Sequence, residues 1–323
     1  MSISKKLIIK DRLYGTQVIT EPVLIALLKT KAVLRLKKIN QFGVPDKYYH
    51  QKNFNRYEHS VGVMMLLRIL GASVEEQVAG LLHDISHTAF SHVYDWIIGE
   101  AGDENYQDKQ TENSINSKEI GGILKKYGYL PQAIADHHRF KLLESDIPEI
   151  CADRIDYSLR ELAVKKAKPL IKSLTKVNNK IVFKDKKSAH AFALNFLTLQ
   201  KQHWGGFEAV SRYKIFSNLL KLAIAEGTLN LRDFLQNDDY VIKKLLKTKN
   251  PHILSALKIL EKKKIPKSGK TECVSKKFRH TDPEFISKQG TIKLSEAIPS
   301  FKKYLEEQRI YNMKGTKVPI FNL

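Results

Sequence analysis

The sequence has few cysteines, no long apolar run and no internal repeat. Its two cysteines, Cys151 and Cys273, are too few for a disulfide framework and too far apart along the chain for a metal clip, which favours a reducing compartment. No stretch approaches about eighteen uninterrupted apolar residues, and the lysines of residues 1–15 are not followed by the apolar segment of a secretion signal. We therefore expect a soluble, cytoplasmic protein.

Acidic residues are scarce relative to basic ones. Lysine and arginine number 55 against 34 aspartates and glutamates, which gives a formal net charge of +21. This excess favours anionic partners such as nucleotides, nucleic acid or an acidic membrane surface, without choosing among them. Because the lysine runs lack interleaved aromatic stacking residues, nucleic acid is a possible but not a favoured partner, and we expect no membrane partner.

Helical periodicity dominates what is present. With 323 residues, 42% of them hydrophobic, the chain can bury a sizeable core. Apolar residues recur at helical spacing over residues 21–39, and a further helix is predicted to begin at Ser73, where Glu76 completes the pattern of a capping box. We predict a mainly α fold with at most a small β-hairpin turning at Asn178 and Asn179, and a loop over the polar residues 101–117.

Two histidine-bearing segments, RYEHSVGV at residues 56–63 and HDISHTAFSH at residues 83–92, suggest a metal site. A His-Asp pair alone is weak evidence, since eleven histidines give roughly half an instance by chance. At 100° per residue, however, His83 lies opposite the apolar stripe of its helix and Asp84 to one side, so packing needs neither. Imidazoles and carboxylates from several segments suit a divalent metal, and Asp153 lies on the polar face of a later helix.

The ordered set H…HD…D, carried by NRYEHSVGV, GLLHDISHTAFSH and ADRIDYSLRE, resembles the HD superfamily of metal-dependent phosphohydrolases. Within that superfamily the likeness is greatest to the deoxynucleoside triphosphate triphosphohydrolase branch. The resemblance covers residues 8–165 well and extends more loosely to residue 225. It implies an HD-domain helical bundle over residues 1–165, and we expect residues 166–323 to form a helical C-terminal region with a small β element and an exposed lysine-rich loop near residues 261–282.

The resemblance also implies a ligand set for one divalent metal ion, and the sequence does not distinguish Mn, Fe, Mg, Co, Ni and Zn. The implied metal ligands are His59, His83, Asp84 and Asp153. Asp156, on the same helix as Asp153, is the competing carboxylate. The order of the motif segments in the family favours Asp153 as the metal ligand.

Further roles are implied around the metal. The resemblance implies that Arg56 and Arg154 contact the phosphate of the substrate, and that Gln41 and Tyr157 lie beside its sugar. From the residues alone, Arg56 has the alternative of pairing with Glu58 or another carboxylate, and Tyr157 that of packing in the core.

Two histidines complete the implied site. His87 and His92 match histidines that act near the scissile bond, one of them as a candidate proton donor to the leaving oxygen. If the helix of His83 continues past it, His87 shares its face.

The chain departs from the family between its HD pair and Asp153. Family members often carry another histidine there, in an acidic context, whereas this chain has NYQDKQTENS at residues 105–114. Gln107 or Thr111 is the candidate for that place, and a glutamine hydrogen-bonds phosphate or water but is a poor proton donor. The adjacent His137 and His138 diverge by 100° on a helix, and we interpret them as structural or weakly phosphate-facing.

We expect a metal-dependent phosphohydrolase that acts on nucleotides with metal-activated water. Its most specific form is a (deoxy)nucleoside triphosphate triphosphohydrolase. The alternatives are a phosphodiesterase or nuclease acting on nucleic acid, and a non-catalytic nucleotide-binding regulator, which the missing histidine favours. The resemblance also makes a homo-oligomer possible.

Overall fold

The computed structural model describes residues 6–99, 104–267 and 269–321, and within these ranges it contains sixteen α-helices and eight β-strands. The helices of the first half are α1 (Pro22–Leu27), α2 (Lys31–Arg35), α3 (Arg56–Ile69), α4 (Val74–Leu82), α5 (Val93–Ile98), α6 (Tyr106–Ile115), α7 (Lys118–Lys126), α8 (Pro131–Ala135) and α9 (Ala152–Arg160). Those of the second half are α10 (Val164–Ser173), α11 (Lys186–Leu199), α12 (Phe207–Ala225), α13 (Asp238–Leu245), α14 (Pro251–Leu260), α15 (Leu294–Ala297) and α16 (Pro299–Met313). The strands are β1 (Leu7–Asp11), β2 (Gly15–Ile19), β3 (Leu174–Val177), β4 (Lys180–Phe183), β5 (Thr271–Val274), β6 (Glu284–Ser287), β7 (Gly290–Lys293) and β8 (Thr316–Pro319).

The mainly α prediction is confirmed, but the limit of one small hairpin is wrong. The strands form three sheets: β1 with β2, β5 with β8, and a four-stranded sheet in the order β3-β4-β6-β7. The predicted hairpin is present as β3 and β4, with Asn178 and Asn179 at positive φ of 49° and 58°. The other strands of the second half were missed because they are only four residues long and some pair with distant segments, as where Phe183 lies opposite Phe285.

Local end signals account for several helix boundaries. Asn55 caps α3 in a capping box with Glu58, and Ser73 caps α4 as predicted. Glu76 does not complete a box at Ser73; its carboxylate instead accepts backbone N–H groups at 2.9 and 3.2 Å from the segment after α8. The single helix expected over residues 21–39 is broken, since Thr30 caps a new helix, α2.

Polar composition gave a wrong prediction over residues 101–117. Residues 106–115 form helix α6, whereas residues 101–103 lie outside the described ranges. The side chain of Asp95 accepts the backbone N–H of Tyr106 at 3.0 Å, and Thr111 and Ile115 are buried. A short buried face therefore suffices for this helix, and mean polarity conceals it.

Helices α3, α4 and α9 form the frame of the first half, with α3 packed against the other two. Helix α3 is buried over most of its length, as its nearly uninterrupted apolar sequence predicts. Two glycines permit this close packing. A Cβ at Gly62 would lie 1.9 Å from Arg160 Nη2 and 2.2 Å from Asp156 Oδ1, and one at Gly80 would lie 2.4 Å from Leu67 Cδ1.

Apolar side chains form two buried clusters. The first centres on α3, α4, α9 and α11, and the second surrounds α12 together with α5 and α14. Both clusters draw on residues before and after residue 165, and the division of the chain at that residue stays a prediction. Among the described residues, no helix has the length and apolar character needed to span a membrane.

We predict that Gly62→Ala destabilises the protein. A glycine-to-alanine change inside a helix ordinarily raises the free energy of unfolding by up to about 1 kcal/mol. Here the new methyl group would meet buried side chains of α9, so we expect the free energy of unfolding to fall by about 1–3 kcal/mol. The measurement is the free energy of unfolding in urea. Gly122→Ala, in helix α7 where no atom of the described residues comes within 4 Å of the Cβ position, is the matched control and should be neutral or stabilising. Equal stability of the two variants would contradict the role of Gly62.

Candidate metal centre

Four side chains predicted to bind metal converge from three elements. His59 comes from α3, His83 and Asp84 follow α4, and Asp153 comes from α9. The potential ligand atoms of His59, His83 and Asp84 all lie within 4.8 Å of one another. Asp153 Oδ1 is 2.9 Å from His59 Nε2 and 3.5 Å from His83 Nε2. The four predicted metal ligands, which are far apart along the sequence, therefore form a single cluster in the fold.

The hydrogen bonds of the two histidines leave nitrogen lone pairs facing the cluster. His83 Nδ1 lies 2.8 Å from the carbonyl oxygen of Gly80, and His59 Nδ1 lies 2.8 Å from Asp156 Oδ2. Because a carbonyl and an ionised carboxylate only accept, each Nδ1 carries a proton and donates it. In neutral rings the two Nε2 atoms, 3.2 Å apart, then present lone pairs to each other. This arrangement, beside two carboxylates, fits a divalent cation with nitrogen and oxygen ligands.

The two competing aspartates occupy different sides of His59. Asp153 faces the open side of the cluster, with 23% of its side chain exposed. Asp156 is fully buried behind His59, where its Oδ2 also accepts a hydrogen bond from Arg160 Nε at 2.7 Å. The geometry suits Asp153 as a ligand and Asp156 as the group that orients His59; the ligand role itself stays a prediction.

The charges of the cluster are strongly coupled. Burial alone would lower the pKa of His83, but Asp84 and Asp153 outweigh it and raise that pKa to about 9. Burial likewise opposes the charge of His59, yet Asp153 and Asp156 raise its pKa. Although burial disfavours ionised Asp84, the guanidinium of Arg56 at 2.8 Å and the nearby histidines hold the pKa of this carboxyl well below its usual value. In the metal-free protein at neutral pH, Arg56 and the protonated His83 therefore balance Asp84 and Asp153, and a metal cation must displace the His83 proton to bind.

His87 and His92 lie beside the cluster, but not for the helical reason considered from spacing. Helix α4 ends at Leu82, and residues 83–92 follow as turns. These turns bring His87 Nε2 to 3.2 Å from Asp84 Oδ1 and place the His87 and His92 rings 5.1 Å apart, centre to centre. Burial and Arg56 lower the pKa of His87 to about 3. His92 is the more exposed of the two, and its Nδ1 lies 3.3 Å from Asp95 Oδ2.

A cavity of about 300 Å³ opens on the cluster. It is lined by every predicted site residue except His59, which lies buried behind it: Gln41, Arg56, His83, Asp84, His87, His92, Asp153, Arg154 and Tyr157. Nine of the ten predicted site residues therefore line one cavity, while their roles towards metal and substrate stay predictions.

The predicted substrate-binding residues have protein partners of their own. Arg56 pairs with Asp84 and not with Glu58, so a neighbouring carboxylate holds it at the cavity wall. Arg154 donates to the backbone oxygens of Glu149 and Ser145 at 2.6 and 3.1 Å. The side-chain oxygen of Gln41 is buried without a hydrogen-bond partner in the described part of the chain.

Aromatic and acidic groups complete the side of the cavity near Tyr157. The Tyr157 ring packs against Trp204, with centroids 5.4 Å apart. Trp204 Nε1 donates to Glu161, whose carboxylate also bonds to His203, and His203 Nε2 lies 2.8 Å from the hydroxyl of Tyr49. Sequence reasoning missed Glu161, Trp204 and Tyr49, because nothing local distinguishes them from core and surface residues of ordinary helices.

Between the two candidates for the absent histidine position, only one reaches the cavity. Gln107 lines it, whereas Thr111 is buried and bonds to Ser86 and to the backbone oxygen of Gln107. His137 also lines the cavity, and its Nε2 is buried without a hydrogen-bond partner among the described residues. His138 is exposed, so the two adjacent histidines diverge as expected.

The lysine-rich segment near residues 261–282 is not simply an exposed loop; residue 268 lies outside the described ranges. Part of it is strand β5, and Lys276, Lys277 and Arg279 line the cavity. Lys276 is 8% exposed at its side chain and pairs with the buried Glu104. No local pattern predicts this position in the cavity wall, because a run of lysines usually indicates a solvated surface.

We predict that metal binding near neutral pH expels a proton, since His83 has a pKa near 9 in the metal-free protein. Metal affinity should therefore rise between about pH 7 and pH 9. The stability of the metal-free protein should change with pH in the opposite direction to metal affinity and fall as the pH rises. A histidine whose folded pKa exceeds its unfolded value of 6.5 stabilises the fold below that value and loses this contribution as the pH rises through about 9.

The measurement is a Mn²⁺ titration at several pH values, with proton release followed in weak buffer and urea unfolding of the metal-free protein beside it. His83→Gln should lose both pH dependences. The matched control is His138→Gln, which removes an exposed histidine near the cavity and should keep them. Proton release of equal size from wild type and His83→Gln would refute the assignment.

Comparison with known proteins is consistent with this site. A model of the HD domain family matches residues 56–161. The chain is 36% identical over 256 residues to the uncharacterized protein YdhJ of Bacillus subtilis, covering 77% of this chain and 78% of that protein. It is 31% identical over 294 residues to the metal-dependent phosphohydrolase cns2 of Cordyceps militaris, covering 86% and 84%.

Two further matches are more distant. The mouse deoxynucleoside triphosphate triphosphohydrolase SAMHD1 is 30% identical over 133 residues, which are 34% of this chain and 20% of that protein. In fold, the chain is similar to the crystal structure of a hypothetical protein from Aquifex aeolicus, with a TM-score of 0.67 and 21% identity over 94% of this chain and 99% of the other. The family match and the long alignments agree with the His-Asp cluster, and the chain belongs to the HD superfamily of metal-dependent phosphohydrolases.

Proposed function

We propose that the chain hydrolyses nucleotides and that its most specific activity is cleavage of a (deoxy)nucleoside triphosphate at the α-phosphorus, giving a nucleoside and inorganic triphosphate. One observation carries this proposal: the same cavity has a cluster of histidines and aspartates suited to a metal ion, and its lining includes arginine and lysine side chains suited to phosphate. The partial similarity to a deoxynucleoside triphosphate triphosphohydrolase supports the triphosphate form.

The ligand set would be His59, His83, Asp84 and Asp153. A divalent ion bound by these residues would lower the pKa of water towards about 7 and would offset phosphate charge. Asp156 fixes the ring of His59, and the Gly80 carbonyl fixes that of His83, so both Nε2 atoms are oriented before any ion binds. Arg56 keeps Asp84 ionised and presents a guanidinium edge to the cavity.

We assign the leaving-group proton to His92. This histidine lines the cavity and is more exposed than His87, and the carboxylate of Asp95, 3.3 Å from its Nδ1, orients the ring. His87, buried against Asp84, acts as a positioning residue. Tyr157 and Trp204 supply an aromatic surface on which a nucleoside can pack, and Gln41 in the same cavity lining supplies an amide oxygen that has no hydrogen-bond partner among the described residues.

A substrate panel tests the proposal. Each dNTP, each NTP, nucleoside monophosphates and a phosphodiester are incubated with Mn, Mg, Fe, Co or Ni, and the products are separated. Triphosphate release from nucleoside triphosphates is the expected result. Inactivity towards all of them would refute the triphosphohydrolase form. Mononucleotides released from DNA or RNA would indicate a nuclease, and stabilisation by nucleotide without product would indicate a regulator.

We predict that Asp84→Asn abolishes turnover. The change removes one metal ligand and one charge partner of Arg56, and loss of several kcal/mol of transition-state stabilisation corresponds to a rate decrease of about 1000-fold or more. The measurement is kcat with the preferred metal, together with bound metal per chain. Asp146→Asn, at an exposed position, is the control and should retain both. Unchanged turnover of Asp84→Asn would overturn the metal mechanism.

A further inference from the structure

A cluster of charged residues outside the metal centre lies on the same cavity. Glu104, Lys276 and Arg279 all line it, and the last two lie beyond residues 56–161, which match the HD family model. Lys276 Nζ is 3.3 Å from Glu104 Oε1, and Arg279 Nη2 bonds to Glu104 Oε2. Two cations therefore share one carboxylate, which leaves the cluster with a positive charge.

The cations are held in place by more than their ion pairs. Lys276 Nζ lies 3.9 Å from the centre of the Tyr213 ring and 5.6 Å from that of Trp96. The backbone oxygen of Lys276 accepts a hydrogen bond from Asn312 in α16. These contacts fix the ammonium group before a ligand arrives, so little conformational entropy is lost on binding.

The cluster adjoins the residues proposed to act on substrate. The charge of Arg279 acts on Tyr157, since it opposes the rise that burial imposes on the pKa of that phenol. Glu104 is similarly linked to His92: burial disfavours its charge, but Arg279, Lys276 and His92 together lower its pKa. Because His92, Tyr157, Lys276 and Arg279 line the same cavity as the metal centre, a ligand long enough to cross that cavity can reach the two cations.

We propose that Lys276 and Arg279, held by Glu104, form a second anion subsite that binds a substrate phosphate remote from the metal. The proposal rests on the proposed phosphohydrolase function and restricts its substrate to molecules with more than one phosphate group. Arg279 supplies the fork of N–H donors that suits phosphate oxygens, and its side chain is 20% exposed against 8% for Lys276. A nucleoside monophosphate would reach the metal but leave this subsite empty.

The test uses binding of inorganic triphosphate and orthophosphate to the full chain in EDTA, measured by calorimetry. Wild type should bind triphosphate more tightly than orthophosphate. Arg279→Gln should weaken triphosphate binding by about tenfold or more, as expected for lost charge-assisted hydrogen bonds, and should also weaken orthophosphate binding, since without metal both anions bind at this subsite. Lys270→Gln removes one exposed charge from the same segment and should retain wild-type binding.

Because Arg279→Gln leaves Glu104 with one partner fewer, Glu104→Gln/Arg279→Gln serves as a charge-balanced second variant and should show the same loss. A purely structural ion pair would shift the unfolding temperature without weakening the binding of either anion, and that result would overturn the proposal. So would a wild type that does not prefer triphosphate. This binding test does not depend on turnover. Loss of triphosphate binding in Arg279→Gln therefore supports the subsite even if the nucleotide panel shows no hydrolysis. Hydrolysis by the wild type together with unchanged triphosphate binding in Arg279→Gln refutes the subsite alone.

Discussion

The candidate metal centre depends on one buried carboxylate, Asp156. Its Oδ2 accepts hydrogen bonds from both His59 Nδ1 and Arg160 Nε, and Arg160 in turn pairs with Asp11 of β1. Burial opposes the charge of Asp156, but Arg160 and His59 lower its pKa and keep it ionised. The chain of contacts connects the N-terminal hairpin through α9 to the ring that faces the metal cluster. It requires α3 to approach α9 closely, and the missing side chain of Gly62 provides that space.

The parts of the site that were predictable are those whose signals are local. The apolar run of α3, the cap at Ser73 and the two-faced pattern of α9 each depend on residues a few positions apart, and each gave the correct element. The resemblance then assigned residues, and nine of the ten assigned residues line one cavity. From the sequence, Asp153 and Asp156 are competing candidates for one role. Sequence spacing does not show that the two ring nitrogens of His59 contact one aspartate each.

The parts that were not predictable depend on contacts between distant segments. Lys276 and Glu104 are separated by more than half the chain, and neither has a local feature that distinguishes it from a surface charge. The π-helical segment Gln200–Trp204, which carries His203 and Trp204 to Glu161, is likewise invisible to a helical period. Short strands such as β5 depend on a partner, β8, that lies beyond α16. Contacts between distant segments cannot be predicted from the spacing of residues that are close together along the chain.

Two charged groups of side chains on the cavity wall constrain what can bind there. At the metal centre, Arg56 and the protonated His83 offset the charges of Asp84 and Asp153 until a metal cation displaces the histidine proton. Lys276 and Arg279 together carry more positive charge than their partner Glu104 carries negative charge, and they need no added ion. An anion can therefore dock at Lys276 and Arg279 whether or not metal is bound, whereas its reacting phosphate depends on the metal. Binding and hydrolysis are thus separable in this cavity, and the metal dependence of one need not follow that of the other.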